Sequence, residues 1–304
     1  MTQLLNALPG ALAQGLIWGV MAIGVYITYK VLDIADLTVD GSICTGAAVC
    51  TMLLLGGQSP WLALLCAVLA GVLAGAVTGL LHVGLGIPPI LAGILTQMVL
   101  WSVNLKLLGK ANQALPARTT PVLLSQMDVG GALPVLLGFC VVLVALLVLF
   151  FGTELGCALR ATGCNPVMSR AQGVNTGLMK IIGLALSNGV VALSGALLCQ
   201  YQGYTDVNMG RGAVVIGLAA VVIGQAVLGC RGGRMAVQLG GVILGAVIYY
   251  IVYQVIIFAG FDTDLLKMFS AVVVAVFLGA PHVKAQLKAH SRSKKGDSGH
   301  AENE

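Results

Sequence analysis

The chain has 304 residues, 58% of them hydrophobic and 9% charged, with a mean hydropathy of +0.98 and a formal net charge of +5. Soluble globular domains carry about 25% charged residues, so this composition excludes a protein that covers itself with a water-facing surface. The positive excess has a local source in Lys284, Lys288, Arg292, Lys294 and Lys295, which follow the last apolar run. That tail reads as an orientation signal and a candidate contact for anionic membrane lipid, and no nucleic acid partner is expected.

In lipid, backbone groups must be satisfied internally, so a spanning chain is either helical or a closed barrel. The apolar runs here are roughly 15–22 residues long and lack alternation, which selects helices. The expected fold is therefore all-α, a polytopic transmembrane helical bundle of about nine helices, within a range of about eight to ten. The first runs occupy residues 9–29, 42–55, 61–83 and 88–107. A polar connection at 109–131 leads into a fifth run at 133–151. Runs at 178–198, 213–228, 236–258 and 265–280 complete the set. Residues 1–283 form the expected membrane domain, and 284–304 a basic tail expected to be disordered. No basic leader with a small-residue cleavage site precedes the first run, so no cleaved signal peptide is expected.

Between the fifth and sixth runs lies a polar island at residues 154–178, ELGCALRATGCNPVMSRAQGVNTGL. It fits a short helix, a glycine turn and a second short helical piece. An amphipathic connector resting on the membrane surface would account for it. Yet helix connections usually take about 2–8 residues, and this one is far longer. A docking surface for a partner subunit accounts for the excess. If the island is cytoplasmic, then Lys30, Arg160, Arg170, Lys180, Arg231, Arg234 and the five tail cations are also inside. Only Lys106, Lys110, Arg118, Arg211 and Lys267 fall outside, as does the acidic connection at 260–264. The positive-inside rule then puts the carboxyl terminus in the cytoplasm.

A second polar stretch, DLTVDGS, holds Asp36, Thr38, Asp40 and Gly41 ahead of a glycine-rich run. Helix capping is one reading. A broken helix facing a transport route is the other, since irregular backbone at membrane depth must line a cavity or be buried in protein. An internal echo bears on the choice. DLTVDGSICTG at 36–46 aligns with DVNMGRGAVVIG at 206–217, matching the aspartates, Gly41 with Gly212, and Gly46 with Gly217, with one inserted residue. On the topology above the two copies run in opposite directions, the inverted repeat from which transporters build a central site out of half-helices. A chance match in a chain with 41 glycines is the alternative.

The eight cysteines include no CxxC pair and read as small hydrophobes. No Ser/His/Asp set, paired carboxylates, metal-ligand cluster or phosphate loop is present in the sequence. The chain is thus expected to be a non-enzymatic transport subunit that needs no cofactor, with any ATP hydrolysis on a separate subunit. The rival transport reading is an ion-gradient-driven secondary transporter, which would place ionisable groups at mid-helix; here the charges lie mostly at segment ends.

The segment GCALRATGCNPVMSRAQGVNTGLMK resembles the cytoplasmic coupling loop of ABC-importer permeases of the branched-chain amino acid and ribose type, and DLTVDGS resembles the DLSVGS stretch of the sugar permeases. GLIWGVMAIGVYITYKVLDIADLTVDGS and VNMGRGAVVIGLAAVVIG make the chain most similar to tryptophan/tyrosine transport system permeases. The resemblance covers residues 12–279. It implies that Arg160, Ala161, Gly163, Asn165, Ala171 and Gly173 contact an ATPase subunit. It also implies that Asp36, Thr38, Asp40, Gly41, Asp206, Asn208, Met209, Gly210 and Gly212 border the translocation path. Gln225 departs from the glutamate expected at that position. The implied partners are two copies of an ABC ATPase, a second copy of the chain and an extracytoplasmic substrate-binding protein. The implied location is the cytoplasmic membrane of a prokaryote. The implied function is import of small polar solutes, amino acids first and aromatic ones among them.

Overall fold

The computed structural model describes residues 2–116, 120–228 and 234–258, together with Val272 and Ala275. Its elements are α1 (Thr2–Tyr26) with a π-helical turn at Ile27–Val31, α2 (Val39–Leu55), α3 (Pro60–Gly84), α4 (Pro89–Leu108), β1 (Asn112–Ala114) and α5 (Val129–Gly152). They continue with α6 (Glu154–Cys164), α7 (Pro166–Ala171), α8 (Thr176–Gln202), β2 (Tyr204–Asp206), α9 (Ala213–Leu228) and α10 (Met235–Phe258). Six of these helices are long and apolar enough to cross a membrane. The expected helical membrane bundle is what forms. The ninth run at 265–280 apart from Val272 and Ala275, the connection at 260–264 and the tail at 284–304 lie outside the described residues, as do Arg118, Arg231 and Lys267.

Local chemistry sets most boundaries. Ser59 accepts a hydrogen bond from Leu62 N, with Pro60 in the first turn of α3, a position where the missing proline N–H costs nothing. Asp128 caps α5 through Gly131 N. One element escaped the sequence reading. β1 pairs antiparallel with β2, Gln113 opposite Thr205, which places the connections at 109–128 and 203–212 at one end of the bundle, the ribbon end. The π turn meets α6 at the other end, where a Cβ on Gly163 would strike the Val31 carbonyl. That is the island end.

Two helices are too short. α2 has 17 residues and α9 has 16, so each is about 25 Å long against a hydrocarbon core of about 30 Å. Each follows a full-length helix, α1 or α8, after irregular backbone at 32–38 or 203–212. The first break enters from the island end and the second from the ribbon end. The two units then exchange partners. α2 lies on α8, with Gly46 against the Ala192 backbone, while α9 lies on α1, with Gly217 against Val25 and Met21. α3 runs along α8 through Gly71, Gly75 and Gly79, and α10 runs along α1 at Gly15 and Gly19. Small residues at these seams let helix backbones approach where lipid supplies no hydrophobic drive. α1 and α8 are themselves joined by Ser187 donating to the Gly24 carbonyl and Ser194 to that of Ile17, both at 2.7 Å. Together α1–α3 and α8–α10 form the inverted repeat that the DLTVDGS echo leads one to expect.

Candidate functional site

The first break buries Leu32, Ile34, Asp36 and Thr38 while Asp33 and Ala35 are exposed, and the buried polar side chains find partners inside the protein. Asp36 Oδ1 accepts from Thr38 N at 2.8 Å, and Oδ2 accepts from Asn188 Nδ2 at 2.7 Å. Asn188 Oδ1 in turn accepts from Ser42 Oγ at 2.6 Å. The Thr38 hydroxyl meets that of Thr78 at 2.8 Å, and Thr78 donates to Thr96 at 2.9 Å. One chain of hydrogen bonds thus links α2, α8, α3 and α4. The capping reading of Thr38 does not hold: Thr38 occupies the N-cap position of α2 in a helical conformation with no side-chain cap bond. Its hydroxyl is committed to α3.

Asp40 does cap a helix, but a distant one. It stands in the first turn of α2, yet its Oδ2 accepts from Gly212 N and its Oδ1 from Val214 N, each at 3.0 Å. Two helix N-termini, those of α2 and α9, therefore meet around one carboxylate, where both dipoles favour negative charge. Gly210 makes the approach possible, packing on the Asp40 carbonyl while its N–H points at Cys44 Sγ, 3.2 Å away. Gly212 turns the chain into α9 with φ +85°, a left-handed conformation that favours glycine.

Beside this junction lies a cavity of about 700 Å³, walled by Asp40 and Gly41 from α2, Gln97, Trp101 and Asn104 from α4, and Arg211 from the second break. The structure brings together only some of the residues expected along the path. Asp40 and Gly41 line the cavity. Asn208 lies at its rim, accepting from Trp101 Nε1 at 3.4 Å. Asp206, in β2, accepts from Asn208 N at 2.7 Å. Met209 is half-buried, and Gly210 and Gly212 shape the turn rather than the wall. Asp36 and Thr38 are buried in the hydrogen-bonded chain and do not border this cavity. Gln97, Trp101 and Asn104 were missed by sequence reasoning, whereas Arg211 falls within the stretch at 206–212 expected along the path. A signal existed for the first three: in an otherwise apolar run they recur at i, i+4 and i+7, one face of a helix.

The island folds as two helices, but its hinge is not a glycine. Asn165 ends α6 and caps α7 through Val167 N at 3.1 Å and Met168 N at 3.0 Å, with Pro166 in the first turn. Gly163 lies inside α6, pressed on Val31, and Gly173 ends α7 at φ +85°. Arg160 is exposed and bends back to the Phe151 carbonyl at 3.2 Å, and Ala161, Ala171 and Gly173 are exposed. Arg170 reaches Thr176 at 3.2 Å, tying α7 to the start of α8. Sequence reasoning passed over the most conspicuous pair here. Val167 and Met168, at the tip of α7, are 80% and 61% exposed.

Residues 8–280 match the family model described as the branched-chain amino acid transport system permease component. A tyrosine transport system permease protein of Clostridioides difficile is 38% identical over 287 residues, 93% of this chain and 94% of that protein. An uncharacterized protein of Rickettsia prowazekii is 33% identical over 279 residues, covering 91% and 98%. The autoinducer 2 import system permease protein LsrC of Escherichia coli is 29% identical over 221 residues, covering 69% of this chain and 60% of LsrC. No solved structure matches. With eight apolar helices among its described residues, six of them in two inverted units, this multi-pass membrane protein belongs to the family of branched-chain amino acid transport system permeases, the permease components of ABC transporters.

Proposed function

We propose that the chain is the permease subunit of an ATP-driven amino acid importer and that α6–α7 is the surface seated in the ATPase subunit. The observation that carries this reading is the apolar pair Val167–Met168, held outward on a capped helix in a polar segment. Apolar side chains so exposed on a polar segment outside the membrane-spanning helices mark a contact surface. The island end is then cytoplasmic, in keeping with Lys30, Arg160, Arg170, Lys180 and Arg234 there. Two copies of the chain pair with two ATPase subunits and receive cargo from an extracytoplasmic binding protein. Closure of the ATPase pair pushes α6–α7. Gly163 against Val31, and Arg170 on Thr176, carry that displacement into the first break and into α8. An aromatic amino acid is the preferred cargo, a choice supported by the similarity to the tyrosine transport system permease protein of Clostridioides difficile.

The test is co-purification with the ATPase subunit and ATP-dependent uptake into proteoliposomes. Changing Val167 and Met168 together to Asp removes buried apolar area worth about 1.5–3 kcal/mol per side chain, so ATPase affinity should drop by more than about tenfold, with thermal unfolding unchanged. Gly173→Arg should act in the same direction. Transport by the wild-type chain without any ATPase would sink the reading and leave the gradient-driven alternative.

A further inference from the structure

We infer that the cavity beside the α2–α9 junction is a binding site for a free α-amino acid with an aromatic or large apolar side chain. The inference rests on the importer reading for the ligand's route, but the site is argued from its own chemistry. Three kinds of group face one space of about 700 Å³, within the size range of small-molecule sites, about 300–1,000 Å³. Asp40 supplies an acceptor held rigid by two backbone N–H groups. Each carboxylate oxygen keeps a lone pair after that bond, so an ammonium can be received without reorganising the site. Arg211 supplies a guanidinium, whose fork matches a carboxylate. Trp101 and Met98, both on α4, supply the apolar wall.

Asn104 is the observation that points to a ligand. It is fully buried and lines the same cavity, and neither its Oδ1 nor its Nδ2 has a hydrogen-bond partner. Buried polar groups in native proteins are rarely left unpaired, and an exception calls for an explanation. An amide presenting both a donor and an acceptor suits a ligand that carries both, as a zwitterion does. The ligand would therefore set its ammonium at Asp40 and its carboxylate at Arg211. Its side chain would lie along Trp101, with Asn104 closing the polar end.

The experiment uses the permease–ATPase complex in nanodiscs without nucleotide and measures equilibrium binding of tritiated L-tyrosine. Saturable binding is expected. L-phenylalanine should displace it, whereas tyramine, which lacks the carboxylate, and hydroxyphenylpropionate, which lacks the ammonium, should not. Arg211→Gln should weaken binding about tenfold, the usual loss for one charge-assisted contact. Asn104→Leu should weaken it comparably while raising the melting temperature, because it removes an unpaired buried amide; a residue with only a structural role would not separate the two readouts. Three results would overturn the proposal: no saturable binding, equal competition by tyramine or phosphoethanolamine, or an unchanged affinity in Arg211→Gln. ATPase co-purification is read in the same preparation. Its loss with binding retained would remove the importer reading and leave the site.

Discussion

The two breaks have kindred sequences and opposite fates. At 32–38 Asp33 and Ala35 are exposed, but Leu32, Ile34, Asp36 and Thr38 are sealed in, and every polar contact that the Asp36 and Thr38 side chains make is to a neighbouring helix or their own turn. At 203–212 the chain is open, with Asn208, Arg211 and Gly212 exposed and only Thr205, Val207 and Gly210 tucked in. Irregular backbone at membrane depth survives either by burial in protein or by lining a cavity, and this molecule uses one solution in each half. The first break behaves as a keystone and the second as a wall. An inverted repeat thus need not be functionally symmetric.

The sharpest way to break that comparison is Asn188→Leu. It leaves Asp36 Oδ2 and the Ser42 hydroxyl without their partners in the protein interior. Stranding a charged or polar group in this way costs more than the bond was worth, so a loss of about 3 kcal/mol or more is expected. Thermal unfolding in detergent should show the largest drop of any single change considered, with little folded protein recovered. A variant that unfolds at the wild-type temperature would mean that the first break is not a keystone.

Much of the architecture was legible because it is written locally. Apolar run lengths and the two copies of the aspartate–glycine echo are each read within a short stretch of chain, and each marks a real helix or break. The site was less legible because it is assembled across the chain. Asp40 reads as a cap for the helix that contains it, yet its partners lie 172 and 174 positions away. Asn188 is one of three side-chain amides in α8, with Gln200 and Gln202, and only the approach of Asp36 gives it meaning. The ribbon was invisible for another reason: strands of three residues show no alternation to detect. In the island a glycine was expected to make the turn, but Asn165 with Pro166 makes it. Gly163 serves instead for close approach, a use that looks identical in sequence.

Asp40→Ala tests the wall at its hinge and should cost less than the keystone change. It removes two hydrogen bonds to the first amides of α9 and the charge that favours both helix N-termini. Cap removal typically costs about 1–2 kcal/mol. Hydrogen exchange should report it locally, with the amides of Gly212 and Val214 exchanging faster while those in the middle of α8 keep their protection. Uniform loss of protection across both units would instead mean that the breaks form one structural block, and the distinction between them would fail.

The smallest expected effect belongs to Gly212→Ala, and it separates strain from packing. The residue has φ +85° with nothing near a new Cβ, whereas Gly46, in the other unit, would drive a Cβ into the Ala192 backbone. At Gly212 the penalty is therefore conformational alone, about 1 kcal/mol for an L-residue in the left-handed region. At Gly46 a helix seam must open. Thermal unfolding of the two alanine variants side by side should place Gly212→Ala close to wild type and Gly46→Ala well below it. The reverse order would show that the turn into α9 is the rigid element and that the α2–α8 seam yields. That outcome would exchange the roles assigned to the two halves.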